Sequence, residues 1–109
     1  MKIDTLYTPE GINFVCVKED GELMGYVNLV LVHNPVKSKY YGLIESLYVN
    51  MKYRRKKIAT KLLEELMYKA TELGCYKVIA TSRFEREYVH KLYEKYGMKK
   101  WGYEFRLDL

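Results

Sequence analysis

Four consecutive cations, Arg54-Arg55-Lys56-Lys57, stand directly before an apolar-patterned run that opens Ile58-Ala59-Thr60. Cations are electrostatically misplaced there. A helix N-terminus carries roughly half a positive charge, and each exposed cation beside it costs about 0.3–1 kcal/mol. A local rule broken this plainly is expected at functional sites. A bound anion would offset the cost, because free N–H groups at a helix start favour phosphate and Arg and Lys add countercharge. The competing readings of such a run are a solvated patch, a nucleic-acid patch or a localisation signal.

The second candidate is Glu45, inside the apolar run Gly42–Val49. Strict strand alternation puts it on one face with Leu43, Leu47 and Val49. A carboxylate on an apolar face is desolvated, which raises its pKa toward the range where a general base works best. The alternative is a glutamate turned to solvent by a bulge that shifts the parity.

These residues need elements to position them. Residues 1–12 contain Pro9 and Gly11 and read as a short strand or arm. Asn13–Lys18 is a strand by its β-branched and aromatic content, and Asp20-Gly21 marks a hairpin turn. Leu23–His33 is nearly continuously apolar, as a central strand is. Asn34-Pro35 opens a polar loop to Tyr40, and Gly42–Asn50 is the next strand. From about Lys57 to Leu73, Ile58, Leu62, Leu66 and Ala70 recur at helical spacing, with Gly74 as the stop. Tyr76–Ser82 is a strand, and strand–helix–strand implies a parallel pair. Glu85–Tyr96 is a second helix ended by Gly97. At the end, Trp101, Tyr103, Phe105, Leu107 and Leu109 alternate with Gly102, Glu104, Arg106 and Asp108, which predicts an antiparallel strand with one wet face. The expected fold is α+β, a mixed, mostly antiparallel sheet with two main helices, in a single domain over residues 1–109.

Two segments of this layout carry a family likeness. Arg54-Arg55-Lys56-Lys57-Ile58-Ala59 after a strand, followed by Lys61-Leu62-Leu63-Glu64-Glu65-Leu66, resembles the acetyl-CoA signature of the GNAT superfamily of N-acetyltransferases. That signature is Gln/Arg-x-x-Gly-x-Gly/Ala. Arg54 fits its first position and Ala59 its last, while Lys57 replaces the central glycine. Leu92-Tyr93-Glu94-Lys95-Tyr96-Gly97-Met98 resembles the family's Leu-Tyr-x-Lys-x-Gly-Phe segment, with Arg86 where an Asn often opens that helix. Two motifs in order, with the right elements between them, are far more specific than either alone. The likeness runs from about Gly21 to Leu109 and matches the family order from its second strand onward, with the first two helices missing.

The resemblance implies transfer of acetyl from acetyl-CoA to a primary amine, by direct attack in a ternary complex. Glu45 would be the base and Tyr93 the acid that returns a proton to the leaving thiolate. Tyr93 also fits the apolar side of its own helix, so a packing role competes. Leu47, Tyr48 and Val49 would offer main-chain groups to the pantetheine arm. Arg54, Arg55, Lys56, Lys57, Ile58, Ala59 and Thr60 would hold the pyrophosphate, mainly through main-chain N–H groups. The competing function is a non-catalytic, GNAT-shaped module binding nucleic acid, protein or acyl-CoA. Truncation and the missing glycine favour it.

Composition bounds the rest. The chain has 109 residues, a net charge of +5 and 49% apolar residues. That suits one folded domain with polyanionic ligands. No apolar run reaches a membrane span and the start is unlike a signal peptide, so a cytoplasmic protein with reduced Cys16 and Cys75 is expected. His33 and His90 have no partners at metal spacing, so no metal site is expected. Cys75 lacks an obvious base for a nucleophilic role. Tyr40, Tyr41 and Trp101 could line an acceptor site, an interface or the core. A homodimer would cover a surface this aromatic.

Overall fold

The computed structural model describes residues 1–55 and 57–109. Four antiparallel strands come first: β1 (Lys2–Tyr7), β2 (Gly11–Val17), β3 (Leu23–Asn34) and β4 (Lys39–Val49). A 3-10 turn at Met51–Tyr53 leads to α1 (Ile58–Glu72), then β5 (Val78–Ala80) and α2 (Glu87–Lys95). The sheet order is β1-β2-β3-β4-β5, with β5 parallel to β4, as a helical crossover requires. Of the two readings of the front of the chain, a short strand or an arm, the structure has the strand: Lys2–Tyr7 pairs along its whole length with β2.

The sheet has two unlike faces. Ile12, Phe14, Cys16, Val27, Leu29 and Ile44 alternate inward and pack against Ile58, Leu62, Leu63, Leu66 and Ala70 of α1. Leu92, Tyr93, Tyr96 and Met98 join the same cluster, so both helices cover one face. Burial pushes the Cys16 and Cys75 thiols up, and both are free. The opposite face carries Val15, Tyr26, Asn28, Val30 and Leu43, half-buried and outside that core.

Both helices stop at a glycine. Gly74 and Gly97 take positive φ, 76° and 85°. After α2, the Gly97 N–H donates to the Glu94 carbonyl at 2.9 Å and the Met98 N–H to Tyr93 at 3.2 Å. That pair of bonds is a Schellman cap, and it explains the spacing Tyr-x-x-x-Gly-Met physically. Tyr93 is the residue whose carbonyl the cap engages, Gly97 supplies the left-handed turn, and Met98 packs back onto the core.

One element differs from expectation. Residues 99–109 are exposed throughout and form no strand. A strand needs a neighbour for its backbone groups, and this segment pairs with none of the described strands.

Candidate active site

β4 and β5 are joined by only three residue pairs, Gly42↔Val78, Leu43↔Ile79 and Ile44↔Ala80. Beyond them β4 continues to Val49 and the described ladder with β5 stops. The gap is a cleft of about 110 Å³ between Ile44–Leu47 on one side and Thr81, Ser82, Arg86, Val89 and Tyr93 on the other.

A bulge in β4 decides which side chains meet there. Asn28 pairs with Glu45 and Tyr26 with Tyr48, so Ser46 and Leu47 together stand opposite Val27. Ser46 takes the left-handed conformation at φ 57°, as the first residue of this kind of bulge does. The extra residue flips the parity. Leu47 and Val49 turn to the helix-covered face and pack on the core. Glu45 and Tyr48 are exposed, and Tyr48 lies against Tyr26 with ring centroids 5.1 Å apart. The expected common face of Glu45 with Leu47 and Val49 is therefore wrong beyond Ser46, and the low-dielectric surroundings that face implied are absent. Glu45 does reach the cleft, from the bare side of the sheet.

Tyr93 reaches the same cleft from α2. Burial pushes its phenol above the ordinary value; Arg86 opposes the shift, and Tyr88 and Glu45 add to it. The phenol therefore stays protonated at neutral pH and can donate a proton. Arg86 stands just before α2 and brings a cation into the cleft. Ser82 Oγ and His90 Nε2 are 3.1 Å apart on the same wall.

The basic turn lies below the end of β4. α1 starts with no side-chain cap and no acidic residue in its first turn, so its leading N–H groups are open to an anion. Arg54, Arg55 and Lys57 are exposed, while Ile58 is buried and Ala59 and Thr60 are half-buried. Lys56 lies outside the described residues. Arg55 and Lys57 both take positive φ, 69° and 61°. A left-handed Lys57 directly before the right-handed start of α1 forms a concave nest of N–H groups that suits phosphate. Lys57 occupies the position where the family motif has glycine, and the left-handed backbone there is what glycine adopts without strain. Thr60 is tied to α2, its carbonyl accepting from Tyr96 Oη at 2.8 Å.

Long-range contacts pin this turn, and sequence reading missed them. Tyr53 is 7% exposed and its hydroxyl donates to Glu22 Oε2 at 2.5 Å. Lys52 Nζ meets Glu22 Oε1 at 2.9 Å. The Asn50 side chain accepts from the Lys52 N–H at 3.1 Å and donates to the Leu23 carbonyl at 3.2 Å. Arg54 Nε reaches the Val49 carbonyl at 3.4 Å. Only Asp20-Gly21 advertised the hairpin in the sequence; nothing showed that the turn at Met51–Tyr53 folds onto it.

Across the bare face, Asn13, Asn28 and Glu45 form one row over three neighbouring strands. The Asn13 Oδ1 atom is buried with no hydrogen-bond partner among the described residues. Tyr40 and Tyr41 lie elsewhere, about 13–17 Å up β4 from Glu45 at a strand's rise. They pack on His33 and Tyr76. Trp101 lies in the exposed tail. None of the three lines the cleft.

The comparisons with known proteins agree with this fold. The family model described as Acetyltransferase (GNAT) family matches residues 2–98, and the chain belongs to that family. An acetyltransferase from Trypanosoma brucei is 28% identical, with a TM-score of 0.81, over 92% of this chain and 70% of that one. Glucosamine-6-phosphate N-acetyltransferase from Arabidopsis thaliana is 25% identical, with a TM-score of 0.80, over 91% and 67%. Ribosomal-protein-alanine N-acetyltransferase from Brucella melitensis is 28% identical, with a TM-score of 0.74, over 94% and 75%. A search of curated protein sequences returned no match. No helix among the described residues is long and apolar enough to cross a membrane.

Proposed function

We propose that this chain is an acetyl-CoA-dependent N-acetyltransferase acting on a primary amine. The observation that carries the reading is the divergence of β4 from β5 directly above an uncapped, cation-flanked helix start. A cofactor with a pyrophosphate at one end and a narrow thioester arm at the other fits that pair of features. The pyrophosphate would sit on the N–H groups of residues 57–60, with Arg54 and Arg55 as countercharge. The arm would run along Leu47, Tyr48 and Val49 into the cleft.

The chemistry follows from two groups that reach the cleft from opposite faces. Glu45 takes a proton from the acceptor ammonium, directly or through water, which frees the nitrogen lone pair to attack the thioester carbon. As the new C–N bond forms and the C–S bond breaks, Tyr93 gives its proton to the departing sulfur, and the proton that the acylated nitrogen sheds returns through solvent to the Tyr93 phenolate. The acceptor approaches over the bare face. There Glu45 and Asn28 offer hydrogen-bond acceptors, and Tyr26 and Tyr48 offer ring faces to a cation. An ammonium-bearing acceptor suits that set.

Calorimetry with acetyl-CoA tests the reading. Micromolar affinity that weakens as salt rises is expected. No detectable binding at millimolar ligand would end it. A second reading, a non-catalytic binding module, draws on Lys57, since a bulky cation in place of glycine crowds the phosphate nest. Nucleic-acid binding without acetyl-CoA affinity would favour that one.

A further inference from the structure

Far from the cleft, the tip of the β3–β4 hairpin and the start of β5 bring lysines and tyrosines together. Lys37 Nζ lies 5.0 Å from the centre of the Tyr76 ring. Lys77 Nζ lies 4.8 Å from that of Tyr41 and 5.3 Å from that of Tyr76. The two rings meet edge to face at 6.0 Å. Asn34 fixes the group. Its side-chain oxygen accepts from the Val36 and Lys37 N–H groups at 3.0 and 3.3 Å, and its Nδ2 donates to Tyr76 Oη at 2.9 Å. Ring faces hold cations in place in this way, while the ammonium heads stay open to solvent.

No carboxylate answers these charges. Lys37, Lys39 and Lys77 join no ion pair among the described residues. Residues 23–44 and 73–84 contain no aspartate or glutamate. Glu10, whose carbonyl accepts from the Leu31 N–H at 3.1 Å, pairs with none of the three. The bond from Asn34, then the Lys77 and Lys37 charges, hold the Tyr76 phenol below its ordinary value against the opposing effect of burial. The cluster shares a sheet face with Glu45. Strand alternation puts Tyr41 and Lys39 on the side of β4 that Glu45 occupies. The rows between, Val30 with Leu43 and Val32 with Tyr41, are half-buried and largely apolar. The bare face is thus a track with a carboxylate at one end, an apolar floor and cations at the other. Tyr41, under Lys77, and Lys39 stand four and six residues before Glu45, so the cations lie roughly 13–20 Å from it at a strand's rise.

We propose that this cluster is an anion subsite for the acceptor: the amine taken at Glu45 belongs to an extended molecule whose far carboxylate or phosphate lies on Lys37 and Lys77. On the acetyltransferase reading, on which this assignment rests, Glu45 marks where the amine docks, and the lysines then set the length and charge of what carries it. An extended chain that rises about 3.3 Å per residue would bring its anion to the lysines at about the fifth to seventh residue from the amine. The apolar floor suits an uncharged stretch between the two ends. A polycationic acceptor is disfavoured, because its far end would meet Lys37, Lys39 and Lys77 with like charge.

Glycine–serine peptides with a free amino terminus test the spacing. One carries aspartate as its sixth residue, one aspartate as its second, one asparagine as its sixth and one phosphoserine as its sixth. Each is titrated into the labelled intact protein and followed by nuclear magnetic resonance. Aspartate at the sixth residue should bind about three- to tenfold tighter than asparagine there, the size that two exposed ion pairs give. The amide signals of Lys37 and Lys77 should move, and the difference should close as salt rises. Whichever of aspartate and phosphoserine binds tighter names the source of the anion. Lys37→Met/Lys77→Met should erase the preference, and both lysines are exposed, so the fold should survive. Equal binding of all four peptides overturns the proposal. So does aspartate at the second residue matching aspartate at the sixth, or a preference that persists in the Met variant. Calorimetry with acetyl-CoA separates the two failures. Spacing-dependent peptide binding without acetyl-CoA affinity would keep the cationic subsite and remove the transferase reading; acetyl-CoA affinity without the spacing effect would do the reverse.

Discussion

On one side of the cleft stands β4, paired along its length with β3 and continuing into a turn pinned by Tyr53, Glu22, Lys52 and Asn50. On the other stands β5, three residues long and held by three pairs. The β4 side also stores backbone strain, at Ser46, Arg55 and Lys57. Non-glycine residues with positive φ persist only where their surroundings over-determine them. The contrast separates two tasks. On the proposed reading, anion and thioester recognition falls to the wall that is tied by long-range contacts. The far wall, held by three strand pairs, and the bare face would receive the acceptor on that reading.

The hardest test of that division is Glu45→Gln. Glu45 is exposed and comes from the bare face, so the variant should fold and bind acetyl-CoA as the wild type does. Turnover of an acceptor used by the wild type should fall about 10²–10⁴-fold, the range for a positioned acid–base group. Near-wild-type turnover would remove Glu45 from the chemistry, and water would have to accept the proton. Arg54→Ala/Arg55→Ala should do the reverse. The acetyl-CoA dissociation constant should rise about tenfold or more, since each charge-assisted contact is worth about 1.5–3 kcal/mol at best. Titrations at two salt concentrations check it, because the variant should also lose much of the salt dependence. An unchanged dissociation constant would move the pyrophosphate away from this turn.

Most of the fold was legible from periodicity. The long helix, the central strand and both glycine stops are written in the spacing of Leu62, Leu66, Gly74 and Gly97, because those patterns are local. What was not legible depends on partners distant in sequence. The flip of Glu45 away from Leu47 needs the knowledge that one residue, Val27, faces two. Ser46 is no signal for that, since glycine is the usual residue in such a bulge. The tie from Tyr53 to Glu22 spans the whole β3–β4 hairpin. The tail does alternate, yet no strand forms, because alternation sets the two faces of a strand and does not say which neighbour it pairs with. The basic turn was the part of the site that the sequence marked most clearly, since charge at a helix start is a conflict visible without any contact.

Lys57→Gly sharpens the contrast from the stability side. A left-handed backbone costs a non-glycine residue about 1–2 kcal/mol, and glycine gives back about 0.5–1 kcal/mol in chain entropy. A net gain of about 0.5–1 kcal/mol should raise Tm by about 2–8 °C for a domain of this size. A Tm that stays or falls would mean that Lys57 is held by contacts that repay its strain. Acetyl-CoA affinity should change less than in the Arg54/Arg55 variant, because the N–H groups that form the nest remain.

The smallest expected effect concerns the pin beneath the turn. The hydrogen bond from Tyr53, then that from Lys52, holds the Glu22 carboxyl below its ordinary value. The same bond pushes the Tyr53 phenol up to about 12. Glu22 has a depressed folded value, so its contribution is present above its unfolded value of 4.5 and is lost as pH falls through the folded one. Tyr53 has a raised value, so its contribution is present below 10.0 and is lost as pH rises through about 12. Glu22→Gln removes the charge that both shifts depend on. Melting curves should then show a modest deficit relative to wild type that is flat across neutral pH. The deficit should shrink below the carboxylate range and again above the phenol range. A deficit constant at every pH would mean that Glu22 acts by packing alone, and the turn would owe its position to Asn50 and the burial of Tyr53.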